Sequence, residues 1–103
     1  MSQSEQAAVE VIERQIKELD SIVSAASTDL NTVAAKERIA KWKARTMPLL
    51  AQHVGDNEAK QFWKTDPGPS FTNALLEELT DEAETYRNFL TAMVRDLKKT
   101  GGA

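Results

Sequence analysis

The stretch "LLEELTDEAETYRNFLTAMVRDLKK", residues 75–99, decides the fold class of this chain. Its apolar side chains recur in alternating steps of three and four, which places them along one face of an α-helix. These residues are Leu76, Leu79, Ala83, Tyr86, Leu90, Met93 and Leu97. Acidic residues crowd the start and Lys98 and Lys99 end the run, an arrangement that the helix dipole favours. The pattern predicts a long amphipathic helix over residues 71–99.

Earlier parts of the chain show the same spacing. A first apolar stripe predicts a helix over residues 4–26, which the polar turn "ASTDLNT" ends. Its members are Val9, Ile12, Ile16, Leu19 and Val23. A second helix is predicted over residues 32–54, capped by Asn31 or Thr32 and closed by Gly55. Its core face is predicted to carry Ala35, Ile39, Trp42, Leu49 and His53.

A short third helix is predicted over residues 57–65, where it presents Phe62 and Trp63. The prolines of the following turn, at positions 67 and 69, are incompatible with a helix interior. No run alternates polar and apolar residues with period two, and good helix formers predominate between the turns. The sequence therefore predicts one all-α domain over residues 1–103, an antiparallel helical bundle of three long helices and one short helix, with a frayed tail at 100–103.

The composition indicates a soluble cytoplasmic protein. The 103 residues include 13 basic and 16 acidic side chains, for a formal net charge of −3, whereas a dedicated nucleic-acid binder normally has a basic excess. The sequence contains no cysteine, which excludes disulfides, thiolate metal ligands and cysteine nucleophiles and is typical of a reducing compartment. No apolar run approaches the ~20 residues that span a bilayer, and the start lacks the features of a signal peptide. We therefore expect no membrane association.

Basic side chains surround Trp42 in the second predicted helix. They are Lys36, Arg38, Lys41, Lys43 and Arg45. At about 100° per residue, Lys36 and Lys43 fall on one flank of the apolar face and the other three fall on the opposite flank. Trp42 lies at the centre of that face, where it is poorly placed to stack on a base. We interpret the run as the charged flanks of a packed helix, with contact to nucleic-acid phosphates as the alternative.

Pro48 lies inside the second predicted helix. A proline there removes a backbone hydrogen bond to residue 44 and crowds that turn, so the sequence predicts a kink or a break near residues 45–47. A kink would let the following apolar segment wrap around the core.

No set of residues in the sequence forms a catalytic or metal centre. Glu77, Asp81 and Glu84 point away from the leucine stripe and lack the Glu-x-x-His pairing of di-metal helical bundles. His53 is the only histidine, and neither a nucleophile with an orienting partner nor a glycine-rich phosphate loop accompanies it. We predict no enzymatic activity, no cofactor and no metal, and we interpret the three acids as a solvated face that could dock a basic partner.

Three apolar residues lie off the predicted stripes. Val11 and Ile22 stand about a quarter-turn from the stripe of the first helix, and Phe89 stands off the seam of the fourth. Single exposed apolar side chains are common, but together with the lengths of the helices these three predict a surface for self-association or for a protein partner.

The segment "WKARTMPLLAQHVGDNEAKQF", residues 42–62, and the later "YRNFLTAMVRDLKK", residues 86–99, resemble a recurrent prokaryotic helical module. The shared pattern is a tryptophan, an arginine three residues later, a leucine pair, a glycine before a short acidic turn, and a phenylalanine. In the proteins it resembles, this module often precedes an effector domain, such as a TIR or predicted nucleotide-binding domain, in defence-type architectures. The resemblance implies an adaptor or oligomerisation role without catalysis.

Three functional hypotheses follow, and each uses a different surface. The first is a non-catalytic helical interaction, adaptor or oligomerisation module that works through helices one and four, in a prokaryotic defence or regulatory complex. The second is a small nucleic-acid-associated subunit that uses the five basic residues around Trp42. The third is a phage-type inhibitor that presents Glu77, Asp81 and Glu84 as a charge mimic. We expect a protein partner or a second copy of the chain ahead of nucleic acid.

Overall fold

The computed structural model describes residues 3–65 and 75–101. Within these residues all regular structure is α-helical, which confirms the predicted all-α class. The helices are α1 (Gln3–Asp29), α2 (Thr32–His53), α3 (Asp56–Lys64) and α4 (Leu75–Gly101). The predicted turn at positions 67–69 and the predicted start of the fourth helix at residue 71 lie outside the described residues.

α1 extends to Asp29, three residues beyond its predicted end at residue 26. The polar side chains do not stop the helix, because the hydroxyls of Ser27 and Thr28 donate to the carbonyls four residues earlier, at 3.2 and 3.1 Å. Leu30 then ends it with a left-handed φ of 58°, and its amide donates to the Ala26 carbonyl at 2.8 Å. The longer helix buries Ala26 completely.

α2 begins where the sequence predicts, because the side-chain oxygen of Asn31 accepts a hydrogen bond from the Ala34 amide at 3.1 Å. The helix continues through Pro48, so the prediction of a break near residues 45–47 is wrong. The predicted kink stays a prediction. Pro48 lies on the exposed side of α2, where water can satisfy the carbonyl that loses its amide donor.

The buried face of α2 differs from the prediction beyond Trp42. Thr46 and Leu50 are fully buried there, whereas Leu49 and His53 are only partly buried. The sequence pattern missed Thr46 because a hydroxyl normally faces solvent unless a buried partner satisfies it. With Thr46 included, the buried face continues in steps of four residues, which keep to one side of a helix.

The bounds of α3 and α4 also differ slightly from the prediction. α3 spans Asp56–Lys64 instead of 57–65, because the Gly55 carbonyl accepts the Ala59 amide at 3.1 Å and closes the first turn one residue earlier. α4 continues to Gly101, so the first two residues of the predicted frayed tail are helical.

α1 and α2 run in opposite directions. The Thr46 hydroxyl contacts Gln15 of α1, whereas Arg38, two turns earlier in α2, shares a groove with Ile22, two turns later in α1. Residue numbers therefore rise along one helix as they fall along the other.

α1 and α4 also run in opposite directions. Arg87 Nη1 lies 3.3 Å from Asp20 Oδ1 in an exposed ion pair. Leu97, further along α4, lines a groove with Glu5 near the start of α1. α1 therefore lies antiparallel to both of the long helices that contact it.

α2 and α4 run in the same direction. Lys36 Nζ lies 3.7 Å from Glu78 Oε1, and one helical heptad later Lys43 Nζ lies 3.4 Å from the Tyr86 hydroxyl. Two helices that run side by side in one direction need a connection that returns the chain along their length. α3 runs back along α2, because the carbonyl of Thr65, directly after the end of α3, accepts a hydrogen bond from Lys43 of α2.

Aromatic rings join α2, α3 and α4 in the core. Trp42 is fully buried, and its ring centroid lies 5.8 Å from that of Phe62 and 6.0 Å from that of Tyr86. Phe62 in turn lies 6.0 Å from Tyr86 and 5.8 Å from Phe89. Ring pairs at these distances contribute about 0.5–1.5 kcal/mol each beyond area burial. The indole of Trp42 therefore serves packing and offers no face to solvent.

Buried polar contacts join α1 to α2 beside these rings. Trp42 Nε1 donates to the Gln15 carbonyl at 2.9 Å, and the Thr46 hydroxyl donates to Gln15 Oε1 at 2.9 Å. Gln15 is 7% exposed and Thr46 is 0% exposed, so water does not replace either partner. Leaving one buried partner unsatisfied costs about 1–3 kcal/mol, whereas an intact hydrogen bond contributes about 1 kcal/mol.

Thr46→Val removes the hydroxyl at nearly constant volume and takes the donor away from Gln15 Oε1. We expect the free energy of unfolding, measured by urea denaturation with circular dichroism, to fall by about 1–3 kcal/mol. Thr80→Val is the matched control, because Thr80 is exposed on α4, and its effect should stay within about 0.5 kcal/mol.

The double variant Gln15→Met with Thr46→Val removes both polar groups of the pair. It should recover most of the stability lost by Thr46→Val, since no buried acceptor is then left without its donor. A double variant as unstable as Thr46→Val alone would contradict this account of the contact.

Candidate functional site

The basic residues of α2 separate onto two sides of the helix. On the side that faces α4, Lys36 forms the exposed ion pair with Glu78, and Lys43 reaches into the aromatic cluster. The other three face α1, and they are Arg38, Lys41 and Arg45.

Lys43 is partly buried among aromatic rings. Its ammonium nitrogen lies 4.5 Å from the ring centroid of Tyr86 and 5.5 Å from that of Trp63. It also donates hydrogen bonds to the Thr65 carbonyl at 3.0 Å and to the Tyr86 hydroxyl at 3.4 Å. These contacts hold the end of α3 against α2 and α4. They also occupy the ammonium group that the nucleic-acid hypothesis assigns to phosphates.

A groove of about 610 Å³ lies between α1 and α2, and we call it the basic groove. Its lining residues are Glu18, Ile22, Arg38, Lys41, Ala44 and Arg45. Ile22 packs partly against the core, so its position is fixed while some of its side chain remains accessible. The structure therefore brings one predicted partner-contact residue together with three of the predicted nucleic-acid residues.

The charged side chains of the basic groove leave it net positive. Arg45 forms an ion pair with Glu18 across the groove. Arg38 and Lys41 are exposed, and within the described part of the chain neither makes an ion pair. Three cations against one anion leave a net charge of +2, which attracts an anionic partner and repels a cationic one.

A second groove, of about 470 Å³, lies where the start of α1 meets α3 and the end of α4, and we call it the acidic groove. Its carboxylates and larger apolar side chains are Glu5, Glu58, Asp96, Val54, Phe89, Met93 and Leu97. The carboxylate of Glu58 folds back over Gly55, where an added β-carbon would lie 2.5 Å from Glu58 Oε2. Gly55 therefore leaves room for one of the charges that border this groove.

The remaining predicted site residues lie outside both grooves. Val11 is partly buried on the same edge of α1 as Ile22, but it lies about 16 Å from Ile22 along the helix axis, towards the start of the helix. Glu77, Asp81 and Glu84 are exposed on the outer face of α4. These three acids therefore lie apart from the two grooves.

Sequence reasoning missed the acids of both grooves, and it took Phe62 and Trp63 together without separating the buried ring from the exposed one. Glu18 belongs to the basic groove only because α1 lies beside α2. No local sequence pattern predicts that these two helices are neighbours. Glu58 had a weak signal, since acids favour the first turn of a helix, but that signal does not point to a groove. Trp63 is 49% exposed, although its neighbour Phe62 is fully buried.

Residues 3–65 and 75–101 contain no group of three or more His, Asp or Glu side chains placed to hold a metal ion. None of the helices described there combines the length and the apolar character needed to cross a membrane.

Comparisons with known proteins give no match. No protein-family model, no curated protein and no solved structure matches this chain. A functional assignment therefore starts from the two grooves and their charges.

Lys43→Met keeps the aliphatic stem but removes the charge and its hydrogen bonds. We expect the free energy of unfolding in urea to fall by about 1–2 kcal/mol, because the cation–π contacts and the hydrogen bond to Thr65 are lost. Lys41→Met is the matched control, because Lys41 is exposed on the same helix, and it should change stability by less than about 0.5 kcal/mol. Equal effects of the two substitutions would show that the ring contacts do not stabilise the fold.

Proposed function

We propose that this chain is a non-catalytic helical interaction module whose basic groove binds an acidic amphipathic helix of a partner protein. One observation carries the proposal: the groove combines the apolar side chain of Ile22 with the net positive charge supplied by Arg38 and Lys41. A partner helix with an apolar stripe beside glutamate or aspartate residues matches both features.

The size of the basic groove fits a few side chains of such a helix. Its volume of about 610 Å³ lies within the roughly 300–1,000 Å³ range of protein ligand pockets. Burying an isoleucine side chain fully contributes about 1.5–3 kcal/mol, so Ile22 supplies part of the affinity. The rim charges act mainly on the association rate and on the choice of partner. We therefore expect binding that weakens as salt increases.

Nucleic acid is the second candidate ligand, because Arg38 and Lys41 are exposed three residues apart on one side of α2. The fully buried Trp42 leaves no indole face in the groove on which a base could stack. This observation favours the protein partner.

The architecture and setting belong to the same proposal. We propose a single domain built as a bundle of three long helices and one short helix, in which α1 lies antiparallel to α2 and α4, working in the cytoplasm. Support comes from helix lengths of 27, 22, 9 and 27 residues and from the opposite directions of α1 and its two long neighbours. The cysteine-free sequence fits a reducing compartment. The resemblance of residues 42–62 to prokaryotic defence modules supports an adaptor role.

An NMR titration with a designed helical peptide tests this proposal. The peptide carries leucines on one face and glutamates on both sides of them. We expect amide shift changes centred on Ile22 and Ala44, and a dissociation constant that rises with salt concentration. Arg38→Glu with Lys41→Glu should weaken binding at least tenfold, about 1.4 kcal/mol.

Arg14→Glu with Lys17→Glu is the matched control for that double variant. It also reverses the charges of one arginine and one lysine that lie three residues apart on an exposed helix surface. It changes the net charge by the same amount as Arg38→Glu with Lys41→Glu. Equal losses of peptide binding in both variants would reduce the effect to net charge and overturn the site. Shifts with a mixed-sequence oligonucleotide but none with the peptide would favour the nucleic-acid hypothesis instead.

A further inference from the structure

The acidic groove has an apolar floor bordered by carboxylates. Phe89 and Met93 lie among its apolar residues, and Phe89 is fixed by its ring contact with Phe62 at 5.8 Å. Glu58 and Asp96 are two of the acids that line it. An apolar group with positive charges beside it is the chemistry that such a groove would recognise.

α3 carries a group of that chemistry on its other flank. Trp63 is the most exposed aromatic side chain in the described residues, at 49%, and Lys60 and Lys64 are exposed beside it. At about 100° per residue these three side chains share one flank of α3, whereas Glu58 and Gln61 share the opposite flank. We call Lys60, Trp63 and Lys64 the basic knob.

We propose that the chain binds a second copy of itself, with the basic knob of one copy inserted into the acidic groove of the other. The indole of Trp63 contacts Phe89 and Met93, and the two lysines of the knob face the carboxylates of the groove. The occupant is a second copy because the same chain carries both complementary surfaces, each with the charge sign that the other lacks.

The folded core holds both surfaces in place before association. The Lys43 ammonium lies 5.5 Å from the Trp63 ring centroid, which positions the indole at the end of α3. The Glu58 carboxylate lies over Gly55, which positions one charge at the groove. Because little ordering is needed on binding, less conformational entropy is lost. Tryptophan is also among the residues that most often dominate interface energies.

Knob and groove lie on opposite flanks of α3, so one copy can use both at once. Reciprocal insertion between two copies gives a closed dimer, and one-way insertion gives a growing chain of copies. A single indole buries about 150–250 Å², well below the roughly 1,200–2,000 Å² of a stable interface. We therefore expect weak association that increases with protein concentration.

This inference extends the proposed interaction function to a separate surface. The contact uses neither Arg38 nor Lys41, so the peptide titration and the self-association experiment can fail independently. A negative peptide titration would not contradict the self-association proposal, and a monomeric chain would not contradict the proposed peptide site.

Tryptophan fluorescence and sedimentation over a range of concentrations give the first test. Trp42 is already fully buried, so a shift of emission to shorter wavelength with concentration would report on Trp63, the other of the two tryptophans. Sedimentation should show the average mass rising over the same range and less at high salt. Trp63→Ala, checked for an unchanged helical circular dichroism spectrum, should weaken association at least tenfold.

A charge exchange gives the second test. One variant carries Lys60→Glu and Lys64→Glu, and the other carries Glu58→Lys and Asp96→Lys. Each should stay monomeric alone, because knob and groove then have the same sign. Their mixture should associate again, because the acidic knob meets the basic groove and the unaltered pair also matches.

Two results would overturn the proposal. One is a wild-type chain that stays monomeric at every concentration. The other is association that persists in the Lys60→Glu, Lys64→Glu variant, whose altered residues are exposed and whose fold should therefore be unaffected. The control pair Arg14→Glu and Lys17→Glu should associate like the wild type, and an equal loss there would assign the effect to net charge.

Discussion

The contacts of one buried side chain, Trp42, bring all four helices together. The residue belongs to α2, its ring touches Phe62 of α3 and Tyr86 of α4, and its indole nitrogen donates to the Gln15 carbonyl of α1. A helix carbonyl has a second lone pair, so Gln15 can accept this bond without giving up its place in α1. Because the indole has a defined hydrogen-bonding direction, it fixes how α1 lies against the other helices as well as how closely it packs. Thr46 reinforces the same junction.

This central junction also determines how charge is distributed on the surface. With Trp42 turned inward, the basic residues on its two flanks must lie on opposite sides of α2. Lys43 then meets the rings of α3 and α4, while Arg38 and Lys41 border the groove with α1. Glu5 of α1, Glu58 of α3 and Asp96 of α4 line the other groove. A chain with a small net charge therefore presents two grooves of opposite sign, which composition alone does not reveal.

The sequence predicts what depends on local periodicity and capping, and it fails where a distant partner decides. The all-α class and the cap at Asn31 follow from spacing and from side-chain chemistry within one turn. The local pattern predicts that Thr46 faces solvent. Its hydroxyl can be buried only because it bonds to Gln15, 31 residues away. Ser27 and Thr28 read as a turn because their hydroxyls can either end a helix or bond back to it. The residues that line the two grooves can be predicted only when the neighbouring helices are known, and no local sequence pattern identifies those neighbours.

The contact of α4 with α1 closes a long stretch of chain, and this has a consequence for how the chain folds. The contact between Gln15 and Trp42 closes 27 residues, whereas the ion pair between Asp20 and Arg87 closes 67. Longer loops lose more entropy on closure, and contacts distant in sequence slow folding. We expect the α1–α2 hairpin to form first and α4 to dock last. Until it does, the rings that α4 covers, Trp42 and Phe62 among them, face solvent, and aggregation competes with folding during that interval.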